Sequence, residues 1–275
     1  MAYRVRHSVI AGQWYPGAAP ELRRTIEQFF GNVPDVKLPG EVIGLVSPHA
    51  GYVYSGQVAA YAYSQVRDQS FDPVVVISPV HRMYVGAYAM TSADAYRTPL
   101  GDVPLDQATV DAVDTRLKVV RVPTDNEHAL EIQLPFLQVA LGTFKLLPIM
   151  LGNQDWATCQ RLADILQDVL ADRNPLLVAS TDLSHFHQAS RAEQLDQIVL
   201  DHITTFDPKG LSRALQNGEA EACGGGPVVT AMLTAQALGA TGAKVLQYAH
   251  SGHITGDNTN VVGYAAGAIY KQSPK

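Results

Sequence analysis

At 275 residues, 47% apolar and 17% charged, the chain has the composition of a soluble globular protein long enough to bury a substantial core. A net charge of -6 argues against general nucleic-acid binding, which needs a basic face, and no apolar run reaches the roughly eighteen residues of a membrane span. The opening residues, Met1 to His7, lack a signal-peptide core, and Cys159 and Cys223 are too few for a disulfide framework, so a reducing cytoplasm is the expected location.

The first helical pattern covers 20–30. The apolar run at 42–47 suits a strand buried on both faces and ends in Ser47-Pro48-His49. A helix is expected at 55–67, with Ser55 as its N-cap. The strand at 73–78 repeats the first design and ends in Ser78-Pro79-Val80-His81. In both cases proline stops the ladder, because it lacks the N–H that pairing needs. A strand at 85–91 precedes Tyr96-Arg97-Thr98-Pro99-Leu100-Gly101-Asp102, which reads as a turn. The helix at 104–115 places Pro104 in its first turn, and a strand follows at 118–122. Asp125-Asn126-Glu127-His128 then opens a helical pattern over 128–141.

The second half continues the alternation. A strand at 144–151 leads to a helix at 155–171 capped by Asp155. The strand at 175–180 ends in Thr181-Asp182-Leu183-Ser184-His185-Phe186-His187, ahead of a helix at 190–205. Gly224-Gly225-Gly226-Pro227 precedes a helix at 226–239; without the lysine and spacing of a phosphate loop it reads as a tight turn, with an anion site as the alternative. A strand at 244–249 ends in His250-Ser251-Gly252-His253, and a strand at 261–269 closes the pattern. No linker divides the chain. The fold class is therefore α/β: a single domain over 1–275 with a mainly parallel, mixed sheet and helices on both faces.

Four of these strands finish in histidine within a few residues. If they are parallel neighbours, His49, His81, His185 and His250 converge at the carboxyl edge of the sheet, where open α/β proteins build their sites. Any one of them alone reads as a backbone cap or a solvated ring; the four together point to a site that suits Zn, Cu, Fe or Ni. Glu127 and His128 have two readings, a helix-start carboxylate with its neighbour or groups that orient metal-bound imidazoles. Asp182 is either a cap or the carboxylate partner of a catalytic histidine. His7, His187 and His202 read as surface groups. A hydrolytic serine among Ser55, Ser180 and Ser184 lacks a nucleophile elbow, and Cys223 reads as a buried inert thiol, with a pocket-lining residue beside the glycine run as the alternative.

Pro48-His49-Ala50-Gly51-Tyr52, Ser78-Pro79-Val80-His81, Tyr96-Arg97-Thr98-Pro99-Leu100, Glu127-His128, Ser180-Thr181-Asp182-Leu183-Ser184-His185 and Tyr264-Ala265-Ala266-Gly267 resemble the Memo family in order along nearly the whole chain. Prokaryotic members of that family are called AmmeMemoRadiSam system protein B. The family is similar in fold to class III extradiol non-haem iron dioxygenases (LigB-like). The resemblance implies a pocket for one divalent metal, Fe or Cu ahead of Zn, with His49 and His81 as ligands. It implies His185, with Asp182, as the acid/base pair. The third ligand departs from the pattern: His250-Ser251-Gly252-His253 has neither cysteine nor carboxylate, and His253 is the expected replacement. Tyr52, Glu127, His128, His250 and Cys223 complete the expected pocket.

Three functions follow as expectations. The first is a metal-dependent redox enzyme acting on a small molecule, in which His185 moves protons. The second is a non-catalytic module for phosphopeptide or another anionic ligand, as the family resemblance implies. The third is metal-assisted hydrolysis. The prokaryotic family name implies a link to a radical SAM protein; no nucleic-acid or membrane partner is expected.

Overall fold

The computed structural model describes residues 3–272, so Met1 and Ala2 of the leader reading and the far end of the 1–275 domain lie outside the described residues. The chain begins with β1 (Val5–Arg6), α1 (Ala19–Gly31), β2 (Gly40–Ser47), α2 (Tyr52–Tyr63) and β3 (Val74–Pro79). Then come β4 (Tyr88–Thr91), β5 (Ala95–Thr98), β6 (Gly101–Pro104), α3 (Gln107–Leu117) and β7 (Val120–Val122). These lead to α4 (Leu134–Leu141), β8 (Leu146–Leu151), α5 (Trp156–Leu170), β9 (Leu176–Ser180) and β10 (His185–His187). The final elements are α6 (Ala189–Thr204), α7 (Pro208–Gln216), α8 (Gly225–Ala237), β11 (Gly242–His250), α9 (Gly252–Thr255) and β12 (Val261–Gln272).

A nine-stranded mixed sheet runs β10-β12-β2-β9-β3-β8-β4-β7, with β11 paired on β12. Its centre, β2-β9-β3-β8, is parallel throughout. Leu45, Val46, Val74 to Ile77 and Leu176 to Ala179 are fully buried there, as unbroken apolar runs require. Ser47 pairs with Ser180 and Ile77 with Ala179, so three strands end level and release His49, His81 and Asp182 at one edge. Helices cover the sheet in two layers: α2, with α1 and α4 against it, lies on β2, β11 and β12, while α8 lies on β2, β3 and β9 and carries α5 and α7. Burying each large apolar side chain contributes about 1.5–3 kcal/mol, so these central runs anchor the frame of the site.

Local details depart from the expectations in instructive ways. β12 runs antiparallel between β2 and β11, which sets the His250 end two strand spacings, roughly 10 Å, away from the end of β2. The helix expected at 128–141 shortens to a 3₁₀ turn at Glu131–Gln133 followed by α4, because residues 124–130 form a loop with other partners. Pro104 ends β6, and α3 starts three residues later, at Gln107. The turn at 96–102 is a β5–β6 hairpin on a small sheet with β1. Ser55 lies inside α2 and donates to the Ala50 carbonyl at 2.9 Å, whereas Asp155 caps α5 as expected, accepting the Thr158 N–H at 2.7 Å.

Candidate metal centre

His49 follows Pro48 at the end of β2 and is 2% exposed. Its Nδ1 lies 3.0 Å from Ser180 Oγ at the end of β9. That hydroxyl gives its one hydrogen to the Ala129 carbonyl at 2.6 Å, so it accepts from His49. It also accepts from Gln133 Nε2 at 2.8 Å, and the Gln133 amide is oriented by Tyr63, whose hydroxyl donates to Gln133 Oε1 at 2.7 Å. His49 is thereby protonated on Nδ1 and turns the Nε2 lone pair toward Cys223 Sγ, 3.1 Å away.

Two buried carboxylates hold the backbone beside the histidines. Asp182 Oδ1 accepts the His49 N–H at 2.7 Å. Glu127 accepts the His81 N–H at 2.9 and 3.0 Å and the Arg82 N–H at 2.6 Å. Each carboxylate also lies 3.9 Å from a ring nitrogen of its histidine, His49 Nε2 or His81 Nδ1. Glu127 is fixed in turn: its N–H donates to Asp125 at 3.0 Å and its carbonyl accepts from Arg6 Nη2 at 2.6 Å. Arg6 also pairs with Asp125 and with the fully buried Glu131, which takes the Tyr15 hydroxyl at 2.7 Å and the Val9 N–H at 3.0 Å. The N-terminal segment is thus tied to the 125–131 stretch, and through the Glu127 carboxylate to the backbone of His81.

Ring centroids place His81 5.1 Å from His49, His128 5.5 Å from His49 and His81 4.9 Å from His128, with Trp14 4.4 Å from His128. Burial, and then one another's proximity, keep these imidazoles neutral: His49 lies well below its ordinary value, and His128 is pushed down to about 3. Burial also lowers His81 and His185. Neutral imidazole is the ligand form. Burial pushes Asp182 up to about 7, against its hydrogen bond from His49, and raises the Cys223 thiol, with Asp182 adding to the effect.

Two groups of donors converge. One nitrogen or sulfur from each of His49, His81 and Cys223 lies within 4.8 Å of the others, and the same holds for one donor each from His81, Glu127 and His128. The donor types fit a metal ion, and His128 adds a buried Nδ1 with no hydrogen-bond partner. A cavity of about 870 Å³ opens over His49, His81, His128 and Asp182, walled by Trp14, Phe29, Tyr52 and Tyr264. A second, of about 780 Å³, lies behind Cys223 and Gly226. His185 lines both. The Tyr52 hydroxyl donates to the Ile132 carbonyl at 2.9 Å, which holds its ring in the aromatic wall.

The expected residues therefore divide. His49, His81, His128, His185, Asp182, Glu127 and Tyr52 come together. His253 and His250 do not: their rings stack 3.7 Å apart in a separate cavity with Gln188, Glu193 and Asn258, displaced by the intervening β12. Cys223, expected at the pocket with an inert buried thiol as the other reading, stands beside the His49–His81 pair, its Sγ 3.1 Å from His49 Nε2. Asp182 serves the His49 backbone rather than the ring of His185, and the carboxylate of Glu127 holds a loop rather than a helix start. Ser180 is fully buried with its hydrogen committed, which removes it as a nucleophile. The glycine run offers no free anion cradle at its ends, since Gly224 N–H donates to Thr181 Oγ1 and Gly226 N–H to Gln154 Oε1. His187 pairs with Glu221 at 2.9 Å and His202 with Asp207 at 3.5 Å. Among the described residues no helix is long and apolar enough to cross a membrane.

A family model described as Memo-like protein matches residues 6–268. The chain is similar to a MEMO1 family protein of Methanopyrus kandleri, 35% identical over 275 residues, covering 95% of this chain and 97% of the relative. It is also similar to MEMO1 family proteins of Methanosarcina mazei (37% over 267 residues, 95% and 98% covered) and Nitrosopumilus maritimus (32% over 271 residues, 95% and 98% covered).

Proposed function

The chain belongs to the Memo family, and from that premise we propose that His49, His81 and Cys223 hold one divalent redox metal, copper or iron, for chemistry on a small organic substrate. The observation that carries this reading is the convergence of two imidazoles and a thiol within 4.8 Å. Imidazole with thiolate suits copper by softness, and the resemblance to extradiol enzymes expected from the sequence adds iron. Such an ion supplies electron transfer and an open coordination position. The protein supplies the rest. Trp14, Phe29, Tyr52 and Tyr264 form a wall that excludes water around a substrate held over His49 and His81. His185 borders that space as a neutral base able to take a substrate proton. Asp182 keeps His49 in place through the backbone.

A zinc-dependent hydrolase is the second reading, favoured by the same donors, because two histidines and a cysteine leave the open position of a catalytic zinc. Phosphopeptide binding has less support, since among the described residues no Lys or Arg lines the aromatic cavity. Metal analysis of the untagged protein tests these readings. Copper or iron lost in the His49→Ala/His81→Ala variant, together with oxygen consumption, supports the first, and zinc with esterase activity supports the second. A protein that takes up none of these ions after reconstitution refutes both.

A further inference from the structure

His81 belongs to both donor groups. On one side stand His49 and Cys223, and on the other Glu127 and His128. The second group has its own marks of a binding site. His128 is 7% exposed, and its Nδ1 is buried without a hydrogen-bond partner, a state that buried polar atoms rarely keep. Glu127 is 2% exposed, and its two oxygens are unequally used. Oε1 accepts from both His81 and Arg82, whereas Oε2 accepts only the His81 N–H and faces His81 Nδ1 at 3.9 Å. The rings of His81 and His128 lie nearly parallel, 4.9 Å apart and 24° from coplanar. Trp14 backs His128, and the Arg6–Asp125 pair backs Glu127.

The chemistry of the two groups differs. His49, His81 and Cys223 include a soft thiol. His81, His128 and Glu127 form a two-histidine, one-carboxylate set, which suits harder ions such as Mn²⁺ and Fe²⁺. His81, the shared member, is also the more open of the two histidines beside their carboxylates, with 28% of its side chain exposed against 3% for His49.

We infer that His81 serves two alternative metal seats, a sulfur seat with His49 and Cys223 and an oxygen seat with His128 and Glu127, and that the softness of the ion decides between them. The inference rests on the metal-binding reading above and adds a second location with a different selectivity.

Titration of the metal-free full chain tests it, with Cd²⁺ as the soft probe and Mn²⁺ as the hard one. Cd²⁺ is followed by competition with a chelator and Mn²⁺ by the electron paramagnetic resonance of the free ion. Cys223→Ser should weaken Cd²⁺ by about a hundredfold and Mn²⁺ by less than about threefold, because only the first seat uses sulfur. His128→Phe keeps a ring against Trp14 and leaves the Glu127 hydrogen bonds to His81 intact; it should weaken Mn²⁺ by about tenfold or more and Cd²⁺ by less than about threefold. Cobalt gives a check without a second-seat variant: Cys223→Ser should still bind Co²⁺ but lose the thiolate charge-transfer band. Mn²⁺ binding that depends on Cys223 and ignores His128 overturns the second seat alone. Cd²⁺ bound through Cys223 with no Mn²⁺ bound does the same. Wild-type protein that binds neither ion overturns the metal reading itself.

Discussion

Replacing Ser180 with alanine tests whether a buried hydroxyl sets the tautomer of His49. In the native protein Ser180 Oγ takes hydrogen bonds from His49 Nδ1 at 3.0 Å and Gln133 Nε2 at 2.8 Å and gives one to the Ala129 carbonyl at 2.6 Å. Gln133 keeps a second acceptor, the Pro48 carbonyl at 3.0 Å, so the substitution orphans one donor, on His49, and one acceptor, on Ala129. Each buried orphan costs about 1–3 kcal/mol, which gives an expected loss of roughly 2–6 kcal/mol in urea unfolding of the metal-free protein. The ring is then free to shift its proton to Nε2, the nitrogen that faces Cys223. Loss of such an orienting partner lowers metal affinity by about 10–100-fold, measurable by chelator competition with Cd²⁺. Stability lost with unchanged Cd²⁺ affinity refutes the tautomer argument and leaves Ser180 a packing residue. Unchanged stability refutes the hydrogen-bond accounting as well.

Arg6→Met leaves Glu131 and Asp125 buried without their cation and should cost about 3–5 kcal/mol in urea unfolding, because a half-broken buried ion pair keeps an uncompensated charge. Gly224→Ala should displace the Cys223 segment, since a Cβ there would sit 2.1 Å from the Ser180 carbonyl oxygen; the expected outcome is a loss of about 1–3 kcal/mol in thermal unfolding, with weaker Cd²⁺ binding. At Asp106, burial opposes the charge, but hydrogen bonds from Thr109 and Arg173 outweigh it and hold the carboxyl below its ordinary value. A lowered carboxyl stabilises the fold above its unfolded value and loses that contribution as pH falls. Wild type should therefore exceed Asp106→Asn in stability near pH 6, with the gap closing below about pH 4; a gap independent of pH contradicts this.

The parallel core and the His49–His81 pair were legible because their signals are local: an apolar run, a proline that ends the ladder, and a histidine. Cys223 gave no such signal. Its partner His49 lies 174 residues away, and the segment before α8 has no periodicity to mark it. The expectation for His253 failed for a topological reason. An apolar run shows that a strand is buried, not which strand lies beside it, and β12 enters between β2 and β11. Glu127 left two readings open in the sequence. An acidic residue before an apolar helical pattern looks like a first turn, but its carboxylate accepts N–H groups 45 and 46 residues away. No window on the chain spans that distance.

The two histidines shared by strand-end design are not equivalent in the folded protein. Both have their backbone N–H held by a buried carboxylate, so both are fixed at the main chain. Only His49 has its ring fixed too, through Ser180, Gln133 and Tyr63. The nearest anchor for the His81 ring is Glu127 Oε2 at 3.9 Å, too far for a hydrogen bond. His49 is therefore the fixed ring of the pair, and His81 the freer one at the mouth of the cavity. An ion bound as proposed would enter from the more open His81 side and meet a lone pair on His49 already aimed at it. Its positive charge would oppose the effect of burial, which raises both groups, and so favour the thiolate of Cys223 and the carboxylate of Asp182. Binding there would couple metal uptake to the stability of the carboxyl edge of the sheet, as any ligand held by the folded state alone does.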